Sequence, residues 1–447
     1  MIQILSAAVS LVFAYLVPGL SISFAVFPYD KQLPRLDRIV LSVGLSVGIV
    51  TLSMFLSNYL FGHFAFPVIV GSLTLLAIAS WIICWQQRSA RNESIGDVQR
   101  MGGVRPTNSE DTPLPRPFVW LFIFATAFIV LFRFYHALLF PITNWDSLTE
   151  FAYLGRSYFV EGRITAVSGA TLGIGASANY PPLIPLLYSW FYIMTGNVQE
   201  VFAQAVSPIF SVLTVIITYQ LAKRMYRSKT LATSSLFFLV TAPIFIFMAE
   251  ECLSEAAVTF YSLATMYFLY RALEERDQPS TKFMFLAGLL AGIAAFVKYP
   301  GLMMLAVGWV VIGVTKVWDS DLPSLHARVR ELVACRSWVI FTVGFLVFGA
   351  PWYLRNLIVV GNPVYPFLYK IFGGEGIDAW VMQNSWDAHF STVIVRNGFD
   401  LSFPSLILTY YNAFFRVSPY ELLDMGPFIG VFLACLLYTS PSPRDRS

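Results

Sequence analysis

The sequence predicts an all-α polytopic integral membrane protein with about twelve transmembrane helices. Two observations and one rule carry this. The 447 residues are 57% hydrophobic and 12% charged, whereas soluble domains carry about 25% charge. Apolar runs of roughly 20 residues, enough to cross about 30 Å of hydrocarbon, recur from Leu5 to Leu437. Backbone facing lipid must satisfy its own polar groups, so these runs have to be helices.

Spans near 3–27, 39–61 and 65–85 form a leading group within residues 1–85. The first starts at Met1 with neither a basic segment nor a small-residue cleavage site, as expected of a retained helix rather than a signal peptide. Residues 86–117 mix charges with Gly102, Gly103, Pro106, Pro113, Pro115 and Pro117, and read as a flexible cytoplasmic linker. A core follows over 118–437, with spans near 118–140, 198–222, 231–249, 253–270, 282–297, 301–317, 338–358, 401–416 and 427–438. The last stretch, 438–447, turns abruptly into a Ser-Pro-Arg tail and is expected to be non-native or truncated.

With 86–117 inside, the Lys and Arg clusters at 31–38, 88–116, 223–229, 271–282 and 316–336 all fall inside. Only Arg156, Arg163, Lys298, Arg355, Lys370 and Arg396 fall outside, a clear positive-inside bias. Counting 181–196 as a crossing would invert that bias, so it reads as an interfacial or re-entrant helix. Two long outer loops result, 141–197 and 359–400, rich in Pro, Gly, aromatics and carboxylates; loops of this length are usually functional.

The formal net charge of +3 is small and its cations are scattered, which gives no support to nucleic-acid binding. Cys84, Cys252, Cys335 and Cys435 stand apart, with no metal or disulfide spacing. No repeat of 20 to 50 residues is visible.

Chemistry-bearing residues gather in the first outer loop. Asn144, Trp145, Asp146, Ser147 and Glu150 follow the fourth span directly. Leu148, Phe151, Ala152, Gly155, Tyr158 and Phe159 then fall at helical spacing, so an amphipathic helix is expected to lie in the interface. Asp146 or Ser147 is placed to cap it, the structural alternative to a general base within reach of an acceptor hydroxyl. Asn179, Tyr180, Pro181 and Pro182 lead rigidly into the apolar 183–195 stretch.

At the next outer boundaries stand Glu250, Glu251 and Glu255, then Lys298 in a short hairpin, then Arg355 where a span emerges. Glu251 is expected to orient the acceptor or to partner Lys298, against ordinary interfacial solvation. Lys298 and Arg355 are expected to bind a phosphate, against simple snorkelling to the interface. Arg133 lies within a span, either functional or structurally paired, and His136 reads as a satisfied core histidine. Asp387 and His389 are too few to argue a metal site.

Asp146 followed by the Tyr180-Pro181-Pro182-Leu183 helix start resembles the GT-C class of membrane glycosyltransferases, in particular the branch of protein O-mannosyltransferases and lipid A aminoarabinose transferases. Gly288 to Gly301 and the run Pro351-Trp352-Tyr353-Leu354-Arg355-Asn356 through Gly361-Asn362-Pro363-Val364-Tyr365-Pro366 are similar to segments of bacterial members. The resemblance covers most of 118–370. It implies inverting transfer of a sugar from a polyprenyl-phosphate donor to a glycan, lipid or protein acceptor at the outer face of the cell membrane. Asp146 and Glu150 would be catalytic, Lys298 and Arg355 would hold the donor phosphate, and Glu251, Asn179 and Tyr180 would orient donor or acceptor. Class members often carry an adjacent acid pair where this chain spaces Asp146 and Glu150, so the need for a divalent metal stays open. A transporter or flippase, a non-catalytic assembly subunit and a polymerase or ligase of lipid-linked glycans are the rival readings. A transporter would line its path with ionisable residues inside several spans, and here the acids concentrate at one surface.

Overall fold

The computed structural model describes residues 2–29, 32–94, 115–144, 146–165, 180–274, 279–319, 336–365 and 367–374. Its leading segment comprises α1 (Ile2–Tyr15), α2 (Val17–Val26), α3 (Arg35–Phe61) and α4 (Phe66–Ser94). After α5 (Arg116–Leu139) come a single π-helical turn (Ser147–Phe151), α6 (Ala152–Glu161) and α7 (Leu183–Thr195). Next are α8 (Glu200–Tyr226), α9 (Lys229–Thr241), α10 (Pro243–Met248), α11 (Glu255–Leu273) and α12 (Thr281–Val297). A 3-10 turn (Tyr299–Leu302) joins α12 to α13 (Met303–Asp319), followed by α14 (Arg336–Val360) and the short α15 (Tyr369–Phe372).

Among the described residues, seven helical stretches are long and apolar enough to cross a membrane: Leu5–Val26, α3, Phe66–Ser89, α5, α8, Tyr299–Val317 and α14. The protein is an integral membrane protein. The expected spans near 231–249, 253–270 and 282–297 are helical but fall outside this set, and those at 401–416 and 427–438 lie outside the described residues, as do most of loop 359–400 and the 438–447 tail. Two expected spans are broken for a local reason. Pro18 sits in the first turn of α2, just past the break at Leu16, and Pro243 opens α10 after extended Ala242; a proline lacks the N–H that a continuing helix needs.

α7 has 13 residues, about 20 Å of helix at 1.5 Å per residue, which is too short to span hydrocarbon. Nearly all of it is buried, and its Trp190 indole donates to the Ser10 carbonyl of α1 at 3.2 Å. Gly155 of α6 lets that helix lie on α7, since a Cβ there would stand 2.7 Å from the Tyr188 Cβ.

The tightest seam is between α12 and α14. Gly288 and Gly292, one turn apart, face the carbonyls of Phe341 and Phe345, and an added Cβ would come within 2.1 and 2.2 Å of those oxygens. Small residues one turn apart let helix backbones meet where van der Waals packing, rather than the hydrophobic effect, drives association.

Two polar ends result. At the end where α3 begins and α11 finishes, fully buried Asp37 accepts from Arg271 Nη1 (2.8 Å), Tyr267 Oη (2.5 Å) and Gln220 Nε2 (2.6 Å). Three partners satisfy a carboxylate that would be costly if buried alone. This end also carries Arg38, bonded to the Phe27 carbonyl at 2.9 Å, and Arg88, bonded twice to the Pro28 carbonyl. The opposite end, where α3, α5, α12 and α14 finish, carries the acids of the candidate site.

Candidate active site

The π-helical turn at Ser147–Phe151 sets the register of the first acid pair. Asn144 Oδ1 accepts from the Ser147 backbone N–H at 3.2 Å, so Asn144 acts as the cap. Asp146 lies in right-handed helical conformation and makes no side-chain capping bond, contrary to the capping expectation, which leaves its exposed carboxylate free of that duty. A π turn adds one residue per turn, and such bulges are frequent at functional sites. The amphipathic helix is present as α6, with Phe151, Leu154 and Tyr158 buried; Leu148 stays exposed.

Glu150 is half-buried beside Asp146. Burial first, and then the Asp146 charge, push its carboxyl up to about 7, while Lys298 pulls the other way and Glu255 adds to the rise. A carboxyl poised near neutrality is suited to proton transfer.

Lys298 stands in extended backbone between α12 and the 3-10 turn, and its ammonium pairs with Glu255 at the start of α11. The Lys298 partner is therefore Glu255 rather than Glu251. The same ammonium lies 5.6 Å from the centre of the Tyr180 ring, within cation–π range. Burial raises the Tyr180 hydroxyl, with Lys298 opposing. Asn179 lies outside the described residues.

Arg355, near the end of α14, is held on three sides. Its Nε donates to Tyr59 Oη at 2.9 Å, its Nη1 donates to Asn356 Oδ1 at 2.9 Å, and its guanidinium lies 5.3 Å from the Trp352 ring centre. Asn356 is buried and donates to Tyr299 Oη at 3.2 Å, Trp352 donates to the same oxygen at 3.4 Å, and that hydroxyl donates to the Tyr365 carbonyl. Tyr299 follows Lys298 in the chain, so the buried polar knot that orients Arg355 through Asn356 lies one residue from Lys298, whose ammonium Glu255 holds. Asn362, also buried, shapes the following turn through the carbonyls of Phe367 and Gly373.

Glu251 belongs to a second group. Glu250 accepts from Arg133 Nη1 at 3.0 and 3.1 Å and pairs with His136 Nδ1 at 3.1 Å. Arg133 is thus structurally paired within its span, and His136 stands against the Glu250 carboxylate rather than in the apolar core. Glu251 adjoins this trio and lines a cavity of about 60 Å³ with His136, Gln204 and Thr143; burial and Glu250 raise its carboxyl. Among the described residues no group of three or more His, Cys, Asp or Glu side chains is placed to hold a metal ion.

Glu255, Tyr299 and Asn356 were visible as residue types near the ends of apolar runs, but their connection needs tertiary adjacency. Tyr59 carried no sequence signal, since a tyrosine at a span end is an ordinary interfacial residue.

Residues 123–359 match the family described as dolichyl-phosphate-mannose-protein mannosyltransferase, a GT-C family. The chain belongs to that family. It is a membrane glycosyltransferase that uses a lipid-linked sugar, and its family uses polyprenyl-phosphate-linked donors with glycan or protein acceptors. Residues 2–95 match a domain of unknown function (DUF8471). Neither the curated proteins nor the solved structures contain a match.

Proposed function

We propose that this mannosyltransferase-family protein moves a hexosyl or pentosyl unit from a polyprenyl-phosphate donor to an acceptor hydroxyl at the outer face of the cell membrane, with inversion. The supporting observation is that Asp146 is not spent on helix capping and stands beside Glu150, at the same end of the bundle as Lys298 and Arg355. The donor enters sideways from the bilayer, its phosphate meeting the guanidinium fork of Arg355 and the Lys298 ammonium. Glu255 takes one of the three Lys298 N–H donors and leaves the others for the ligand.

Asp146 removes the acceptor proton as the acceptor oxygen forms its bond to the anomeric carbon. The bond from that carbon to the phosphate oxygen breaks, and the lipid phosphate leaves with the electron pair. A phosphate needs no proton to leave, so one base suffices. Ionised Glu150 favours the positive charge that develops on the sugar, and the cations favour the negative charge on the leaving group; fixed charges of this kind usually contribute the largest catalytic term. Tyr180 and Glu251 contribute to orienting donor or acceptor, and Asn179 is retained in that role from the sequence.

The test is transfer of labelled sugar from a panel of polyprenyl-phosphate donors by purified protein, with and without chelator. Asp146→Asn is expected to reduce turnover at least about 100-fold, the lower range for general-base catalysis, with donor binding retained. Near-full turnover in that variant would remove Asp146 from the reaction, and failure of the wild type with every donor would remove the enzyme reading itself.

A further inference from the structure

The leading segment, which matches a domain of unknown function, reaches the candidate active site at the turn between α3 and α4. Asn58 Oδ1 accepts from the Ile164 backbone N–H at 2.8 Å, and the Phe64 N–H donates to the Gly162 carbonyl at 2.7 Å. These bonds tie the end of the α6 segment to the turn. A third bond reaches the other side of the site, where the Tyr59 hydroxyl accepts from Arg355 Nε at 2.9 Å.

Tyr59 is itself held. Its ring packs 4.7 Å from Phe55, and Phe55 makes an edge contact with Trp352 at 6.3 Å, the ring over which Arg355 lies. Phe55 and Trp352 are buried, while Tyr59 is 43% exposed, so the hydroxyl stands at the open edge of an otherwise closed aromatic frame.

The donor inventory then decides what this edge can bind. Arg355 has five N–H donors, of which Nε and one on Nη1 are used. A tyrosine hydroxyl that accepts still has its own proton to donate. Beside one another stand a positive guanidinium edge and a neutral O–H donor, with rotamers fixed from behind. A phosphodiester, whose two non-bridging oxygens share its negative charge, matches that set, because Arg offers a planar fork and the hydroxyl a further bond. Fixing the guanidinium beforehand also removes part of the ordering cost of binding.

We infer that Tyr59, supplied by the leading segment, is a binding residue for the phosphate of the lipid-linked donor and completes the subsite built on Arg355. The inference rests on the donor-phosphate role given to Arg355 under the proposed function. It assigns the leading segment a part in the reaction: without it the Arg355 guanidinium keeps its Asn356 and Trp352 contacts but loses the partner of Nε and the neighbouring O–H donor.

The experiment uses the full-length protein in phosphatidylcholine nanodiscs, with two readouts: equilibrium binding of a polyprenyl phosphate, and KM and kcat for the labelled donor. Tyr59→Phe keeps the ring and loses only the hydroxyl. It is expected to weaken polyprenyl phosphate binding and raise donor KM at least about 10-fold, the lower range for one hydrogen bond to a charged group. Turnover and acceptor KM are expected to stay within about twofold. Arg355→Ala is expected to cost more, and adding Tyr59→Phe to it is expected to cost little further, because coupled residues are not additive.

Unchanged lipid binding and KM in Tyr59→Phe, alongside weakened binding in Arg355→Ala, would overturn the role of Tyr59 and leave the donor site standing. Wild-type lipid binding in Arg355→Ala would overturn both. Loss of turnover in Tyr59→Phe with both polyprenyl phosphate binding and donor KM unchanged would overturn its role in holding the bound donor.

Discussion

Glu150→Gln separates the two carboxylates of the candidate active site. The structure holds the Glu150 carboxyl protonated up to about 7, against a usual value of 4.5. A rise of that size, fully shielded, corresponds to about 3 kcal/mol at 1.36 kcal/mol per unit. Glu150 is half-buried, so solvent screening reduces it to about 1–2 kcal/mol. The sign follows from proton binding: the folded protein holds this proton more tightly than the unfolded chain does. The group's contribution to stability is therefore complete below about 4.5 and is lost as pH rises towards 7. In Glu150→Gln that loss is absent, so the fall in Tm between pH 5 and pH 8 should be smaller than in the wild type. In the transfer assay, wild-type kcat/KM should rise with pH through about 7 as Glu150 ionises beside Asp146. The Gln variant should lack this limb and run at a lower plateau. A variant that keeps both the limb near 7 and the wild-type dependence of Tm on pH would refute the assignment of that titration to Glu150.

Gly292→Val should destabilise the fold by more than about 2 kcal/mol, because its Cβ would meet the Phe345 carbonyl at 2.2 Å and the two backbones would have to part; thermal unfolding in detergent reads this. Asn144→Ala removes the cap of the π turn and should cost about 1 kcal/mol while lowering turnover through misplaced Asp146, with donor binding unchanged. Glu250→Ala strips Arg133 and His136 of their shared partner and should lower Tm several times more than Glu251→Ala, which breaks no ion pair among the described residues; equal effects on the two would discard the division of labour between these neighbours.

The helical membrane class was legible because it rests on composition and run length, which need no knowledge of neighbours. Local breaks were harder. The span near 3–27 reads as continuous on hydropathy, yet Pro18 lies two residues beyond the break at Leu16. The chemistry-bearing end was legible in residue type: Asp146, Glu150, Tyr180 and Lys298 meet there. What sequence spacing did not contain was partner choice. Glu251 and Glu255 are four residues apart, Glu251 in the turn before α11 and Glu255 at its first position, and which of them meets Lys298 depends on where α11 begins relative to the end of α12. Capping failed for a similar reason. Both Asn144 and Asp146 are good caps by type, and only the π turn shows that the bond falls to Asn144.

The way the carboxylates are satisfied gives a physical reason to place the chemistry at Asp146 and Glu150. Asp37, Glu250 and Glu255 lie in or at the ends of apolar helices, and each meets a cation: Arg271, Arg133 and Lys298. Charges at membrane depth are costly unless paired or wet, so these pairs are what the fold needs in order to stand. Asp146 and Glu150 have no cation within ion-pair distance among the described residues, and Glu150 carries the cost in its raised titration. Among the described residues Glu251 also lacks an ion pair, but Glu150 is the half-buried acid that stands beside a second unpaired carboxylate, Asp146, and so keeps a local charge cost that packing does not require. Arg355 mirrors this on the cationic side: neutral groups, Tyr59 and Asn356, orient it, and no carboxylate within ion-pair distance neutralises it among the described residues. Unpaired negative charge and an oriented, unneutralised cation at one end of the bundle are the two halves that a reaction separating a sugar from a phosphate requires.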